Sequence, residues 1–272
     1  MINNRLVRVL KKAKIEKKKL FCAYLTVGFP DLPATKLLVS VLEKSGADIL
    51  ELGFPFSDPL ADGPTIQAAS EQALRRGVRM KDALSLIHQL RQKGLKIPVI
   101  FFSYLNPLLH YGIERAACDL EQNGFDGLVI PDLSIEEGKP LETIFRRANL
   151  SLIYLIAPTT DKERICEIAK RSNGFIYYVS LRGVTGARRA LPVDLVGKVK
   201  AIKKVTQKPV LVGFGVSNGP QARSIASVAD GIIVGSAIVD QIRQSKNASR
   251  RVAKLVSHLV AAMNSSSRYH GQ

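Results

Sequence analysis

The chain is short of the residues that most often advertise chemistry. Its 272 residues include three cysteines, four histidines and no tryptophan. Cys22, Cys118 and Cys166 are widely spaced and odd in number, with no C-x-x-C pair, which excludes a disulfide framework and a cysteine-based metal site. Reduced, inert core thiols are the expectation. His88, His110, His258 and His270 are scattered, and none neighbours a serine or cysteine in a nucleophile motif, so a catalytic triad is not indicated. No apolar run reaches the ~18 residues that a membrane span needs. The basic segment MINNRLVRVLKKAKIEKKKL lacks the apolar core and small-residue cleavage site of a secretory signal. A cytoplasmic protein that binds no membrane is expected.

Acids are scarce as well: 23 Asp and Glu stand against 40 Lys and Arg, a formal net charge of +17. Most of the excess sits at the two ends. Residues 1–19 carry eight cations against Glu16, and residues 241–272 carry six cations and no acid. Such ends invite a nucleic-acid reading, but no helix-turn-helix, zinc finger or aromatic stacking motif accompanies them. Leu6, Val9, Leu10 and Ala13 form a helical stripe, and Val252, Leu255, Val256, Leu259, Val260 and Met263 form a longer one. Both ends therefore read as amphipathic helices with basic solvated faces, and no nucleic-acid partner is expected.

Between them, short apolar runs alternate with helical stretches. Strands are expected at 21–26, 47–52, 98–102, 127–130, 151–157, 175–180, 209–213 and 230–234, each nearly continuous in hydrophobicity, as in strands buried on both faces of a parallel sheet. Helices are expected at 33–45, 81–93, 112–123, 136–147, 161–171, 192–203 and 217–227. Eight strand–helix units without a linker argue for an α/β fold, a single (β/α)8 TIM barrel over 1–272, with a basic helix at 1–19 and a frayed tail at 265–272. A doubly wound sheet would carry G-x-G-x-x-G after its first strand, and none follows 21–26.

In such a barrel the chemistry lies at the C-terminal ends of the strands. Glu51 closes the second strand among Ile49, Leu50 and Leu52, where desolvation would raise its pKa toward neutrality; the alternative is a structural glutamate paired to a lysine. The loop GFPFSDPLADGP (53–64) follows, stiffened by Pro55, Pro59 and Pro64 and carrying Asp58 and Asp62. It displays Phe56 and Leu60, apolar groups from which a monomer gains little. A metal held by Glu51, Asp58 and Asp62 has no supporting histidine, and no metal is expected. Glycines at GVTG (183–186), GFG (213–215) and GSA (235–237) close three consecutive late strands, the usual place for a phosphate in this fold.

The segment ELGFPFSDPLADGPTIQ (51–67) closely resembles the signature of the tryptophan synthase alpha subunit family. The resemblance extends from about Phe21 to Val239 through TVGFPD (26–31), SYLNP (103–107), VIPDL (129–133), GVTGAR (183–188), GFGVS (213–217) and VGSAIV (234–239). It implies retro-aldol cleavage of indole-3-glycerol phosphate to indole and glyceraldehyde 3-phosphate, at the end of tryptophan biosynthesis. Glu51 would be the acid/base, Asp62 the partner of the indole N–H, and Tyr177 the residue near the glycerol moiety. Gly186, Gly215, Gly235 and Ser236 would bind phosphate, Tyr24, Phe102, Phe214 and Ile233 would line the indole pocket, and Thr185 would orient the catalytic carboxylate. The family works as an alpha2-beta2 heterotetramer with a beta subunit that carries pyridoxal phosphate, so no cofactor is expected on this chain. Pro55, Phe56, Asp58, Pro59, Leu60, Asp132 and Ser134 would then face that partner. Two segments depart from the family pattern: Leu181-Arg182 in the loop after the sixth strand, and Ser134 where a proline is usual. They motivate a second reading, a weakened catalyst kept as an allosteric activator of beta.

Overall fold

The computed structural model describes residues 2–179, 193–213, 215–244 and 247–265. Among them, one parallel sheet contains β1 (Leu20–Thr26), β2 (Ile49–Gly53), β3 (Val99–Phe102), β4 (Gly127–Val129), β5 (Ser151–Ile153), β6 (Leu155–Ile156), β7 (Ile176–Val179), β8 (Val210–Gly213) and β9 (Gly231–Val234). The hydrogen-bonded order is β5-β4-β3-β2-β1-β9-β8-β7-β6. Its two edges, β5 and β6, are separated in sequence only by Tyr154, so the ring closes through the chain itself. The ninth strand thus arises from a break in the expected 151–157 strand. At the break the Tyr154 N–H leaves the ladder and donates to Ser172 Oγ at 3.2 Å. The TIM-barrel expectation is met, with each expected strand found within two residues of its place.

The outer ring consists of α2 (Leu32–Lys44), α3 (Pro64–Arg75), α4 (Met80–Gln92), α5 (Leu105–Tyr111), α6 (Ile113–Gln122), α7 (Ile135–Arg147), α8 (Lys162–Arg171), α9 (Val193–Val205), α10 (Gly219–Val228) and α11 (Ser236–Arg243). Helix α12 (Ala248–Asn264) packs on α10, α2 and α11 through Val252, Val256, Leu259 and Met263, as its stripe predicts. Helix α1 (Arg5–Glu16) lies at the N-terminal end of the barrel with Leu6, Leu10 and Ala13 buried. Its start is tied down by Asn4, whose side chain caps Val7 N and donates to the Asp126 and Asn149 carbonyls.

Periodicity gives no sign of α3 and α5. Helix α3 buries Ala69, Ser70 and Ala73, small residues that leave no large apolar stripe to count. Its signals are instead Pro64 in the first turn and a run of strong helix formers. The thiols also differ from expectation: all three are free, but only Cys22 is buried, while Cys118 is exposed. No helix among the described residues is long and apolar enough to cross a membrane.

Candidate active site

A cavity of about 390 Å³ opens at the C-terminal ends of the strands. Tyr24, Glu51, Phe102, Tyr177 and Ile233 reach it from five different strands, and Asp62 from the loop after β2. Gly215, Gly235 and Ser236 complete the set, so every described residue expected to bind substrate or to catalyse lines this one space. Thr185, Gly186 and Phe214 lie outside the described residues. Sequence reasoning passes over Ile66 on α3, Pro131, Leu155 and Val179, which supply apolar wall. Ile66 was hidden with its helix; Leu155 and Val179 could have been found as strand-end residues, because the barrel puts such positions at the site.

Close strand approach fixes the two tyrosines. A Cβ on Gly53 would lie 2.1 Å from the Tyr24 hydroxyl, and one on Gly213 would lie 3.0 Å from the Tyr177 ring. Glycine on the neighbouring strand therefore lets each ring lean across the barrel mouth. Tyr24 meets Phe102 edge to face, with centroids 5.8 Å apart.

Glu51 is 1 % exposed. Its Oε1 has no hydrogen-bond partner among the described residues, and Oε2 accepts from the Tyr177 hydroxyl at 3.4 Å. The structural alternative, a lysine partner, is not met: no cation pairs with Glu51 among the described residues. Burial pushes its pKa up to about 8, against the Tyr177 hydrogen bond and aided by the Asp62 charge. The carboxyl is consequently held protonated at neutral pH. Burial also raises Asp62, to about 6, with the Tyr104 hydroxyl opposing the shift. That hydroxyl accepts the Ala61 N–H at 3.0 Å and so anchors the loop that carries Asp62. Tyr104, within the quoted SYLNP motif but given no role from sequence, is the missed member of the constellation. Two carboxyls with separated pKa values across an apolar cavity form an acid/base pair suited to work near pH 7.

Helix α11 starts after its N-cap Gly235 with no side-chain cap, and Gly235, Ser236 and Ala237 line the cavity, so the uncapped first turn of the helix borders it. Helix α10, by contrast, is capped by Asn218. The loop residues separate into two groups. Phe56 rests on Tyr104 with centroids 5.3 Å apart, Asp58 is exposed, Pro59 is half-buried and Leu60 is 83 % exposed. Pro55 is buried in the chain, so the displayed stretch starts at Phe56. Asp132 accepts the Leu105 N–H at the start of α5. Ser134 caps α7 and, with Glu137, forms a capping box, a task the usual proline could not perform. No group of three or more His, Cys, Asp or Glu among the described residues could hold a metal, and Glu51, Asp58 and Asp62 do not converge.

Residues 10–268 match the model of the tryptophan synthase alpha chain family. The chain belongs to that family. It is 42 % identical to the tryptophan synthase alpha chain of Chloroflexus aggregans over 98 % of this chain and all of that one. It is 46 % identical to that of Dehalococcoides mccartyi over 90 % of this chain and 95 % of the other. The crystal structure of the alpha chain from Legionella pneumophila superposes with a TM-score of 0.90 at 35 % identity, covering 98 % of this chain and 99 % of that one.

Proposed function

We propose that this chain cleaves indole-3-glycerol phosphate to indole and glyceraldehyde 3-phosphate, as the alpha subunit of a tryptophan synthase. The observation that carries this reading is Glu51, a carboxyl held protonated beside Asp62 in an apolar cavity that ends in an uncapped helix start. The phosphate would sit at the Gly235–Ala237 turn beside Gly215, with Gly186 contributing. The indole ring would lie against Tyr24, Phe102 and Ile233.

Glu51 then delivers its proton to indole C3 while Asp62 takes the N1 proton, which makes C3 tetrahedral. Glu51, now a carboxylate, removes the glycerol hydroxyl proton as the carbon–carbon bond breaks. The bond's electrons restore the aromatic ring, and N1 recovers its proton from Asp62. Protons balance, and each step uses only side chains of this chain; pyridoxal phosphate belongs to the beta subunit. Burial sets the ionisation of Glu51, and the Tyr177 hydrogen bond moderates it downward. Phe56 to Leu60, with Asp132 and Ser134, supplies the surface for beta in a cytoplasmic alpha2-beta2 heterotetramer.

The test is release of glyceraldehyde 3-phosphate by wild type and by Glu51→Gln, with and without beta. Release that depends on Glu51 and rises with beta is expected. Stimulation of beta without any release would instead establish the second reading, an activator that has lost its own reaction.

A further inference from the structure

At the opposite end of the barrel, a second cavity of about 290 Å³ lies where the last turn of α1 overhangs the starts of β1, β8 and β9. Its floor is apolar, formed by Leu10, Leu20 and Pro209. Six lysines surround it (Lys14, Lys17, Lys18, Lys19, Lys203 and Lys208) against a single carboxylate, Asp230. Converging like charges in a concave, partly desolvated space create a strong positive potential.

Internal partners account for only part of this charge. Lys203 pairs with Asp230 at 2.7 Å, and Lys18 pairs with Asp48, behind the rim. Lys19 and Lys208 donate to carbonyls, Lys19 to Ala229 at 2.7 Å and Lys208 to Ala169 at 2.6 Å and Ser172 at 2.7 Å. With a further bond to the Lys170 carbonyl at 3.2 Å, Lys208 places all three ammonium protons on carbonyls, whereas Lys19 places one. Neither charge is neutralised by these bonds, and burial lowers both pKa values, at Lys19 against the Asp230 charge and with a smaller push from Lys203. The ammonium groups of Lys14 and Lys17 have no hydrogen-bond or ionic partner among the described residues.

Lys17 adds a separate observation. It ends α1 in the left-handed region at φ 52, a position where glycine is usual and a lysine is strained. The other non-glycine residue at positive φ among the described residues is Asn149, a type that tolerates it. A side chain is kept at position 17 against the backbone preference, and that side chain lines the cavity.

We infer that this lysine-lined cavity is a binding site for a small polyphosphate, with linked phosphate groups bridging Lys14 and Lys17 to Lys19 beside the fixed positive charge of Lys208. Among the described residues no aromatic side chain lines it, so base stacking of the kind single-stranded nucleic acids use finds no platform in that lining. The volume suits a compact anion.

The test is calorimetric titration of the full chain with tripolyphosphate at about 50 mM salt, where screening is modest. One saturable site per chain is expected, weakened about tenfold or more in Lys14→Ala/Lys17→Ala, which removes two charge-assisted contacts. Lys17→Gly discriminates further: it should raise Tm by about 2 °C by relieving the backbone, yet weaken tripolyphosphate several-fold. Titration with ATP separates the sources, since tighter binding than tripolyphosphate assigns an organic ester resting on the apolar floor, and equal or weaker binding an inorganic chain. Absence of saturable binding overturns the inference, as does unchanged affinity in the double variant, which would send the anion elsewhere.

Discussion

The two ends of the barrel treat buried carboxyls in opposite ways. At the N-terminal end, Asp48, Asp126 and Asp230 stand immediately before β2, β4 and β9 and repeat one device. Each donates its backbone N–H to a carbonyl of the neighbouring strand and accepts that residue's N–H on its carboxylate: Phe21 for Asp48, Val99 for Asp126 and Val210 for Asp230, at 2.8–3.0 Å. Each also holds a cation: Lys18, the pair Arg5 and Arg91, and Lys203. At the C-terminal end, among the described residues, Glu51 and Asp62 pair with no cation and one Glu51 oxygen has no hydrogen-bond partner. Each end has one fully buried acid, Asp126 at the first and Glu51 at the second. Pairing separates them: the satisfied acids hold strands together, and Glu51, with one oxygen unpartnered among the described residues, keeps a proton available.

The sharpest break of this contrast is Glu51→Gln. Loss of the proton donor should lower turnover by about 10³-fold or more. The same change should stabilise the fold at alkaline pH. In the folded chain Glu51 ionises near pH 8, well above the ordinary 4.5. The stability it contributes is therefore intact below about 4.5 and is lost as pH climbs to 8. Gln carries no such charge, so at pH 8.5 the variant should gain on the order of 2–4 kcal/mol over wild type, less the cost of a buried amide, and the gain should vanish near pH 5. Thermal melts at both pH values, set beside product release, read the two effects together. A variant that melts lower than wild type at pH 8.5 would show that Glu51 is structural.

Asp126→Ala should do the reverse. Its side chain is fully buried between Arg5 and Arg91, and removing it takes the carboxylate from both guanidiniums, leaving Arg91 only its carbonyl acceptors, and strands the Val99 N–H. A loss of about 3–4 kcal/mol in denaturant unfolding is expected, with turnover per folded molecule unchanged. Altered turnover in the surviving folded fraction would mean that the two ends are coupled.

The division between the ends also explains what could be read beforehand. Glu51 was legible because an acid that closes an apolar strand is anomalous in composition alone. The barrel was legible because continuous apolar runs and amphipathic helices keep their own periods. Helix α3 was not, since Ala69, Ser70 and Ala73 bury a face too small for a hydrophobic count to register. Tyr104 was not, because its role is made by contact with Ala61 and Phe56, forty or more residues away, and no local pattern encodes that meeting. Asp48, Asp126 and Asp230 each follow an apolar residue at a strand start, but a shared backbone bond across strands exists only once the register is set.

A smaller effect tests whether the tyrosines set the working pH. With Glu51 protonated below about 8 and Asp62 ionised above about 6, kcat/KM should follow a bell with an optimum near 7. Tyr177 lowers the Glu51 pKa, so Tyr177→Phe should carry the alkaline limb upward. Tyr104 lowers that of Asp62, so Tyr104→Phe should move the acid limb upward and narrow the bell. Activity at the optimum should fall a few-fold to about tenfold in each. Limbs that stay in place would remove both tyrosines from the acid/base machinery and leave them as packing.

The smallest effect separates burial from pairing within the N-terminal end itself. Lys203 and Asp230 form the same kind of pair as Arg91 and Asp126, at a shorter 2.7 Å, but their side chains are 38 % and 32 % exposed. Water screens that pair, and Asp230 keeps the Val210 N–H when the lysine is gone. Lys203→Ala should therefore cost only about 0.5 kcal/mol, against several for the loss of Asp126. Unfolding curves measured side by side decide the matter. If the exposed pair proves as costly as the buried one, then desolvation is not what distinguishes these acids, and the contrast with Glu51 must rest on hydrogen-bond satisfaction alone.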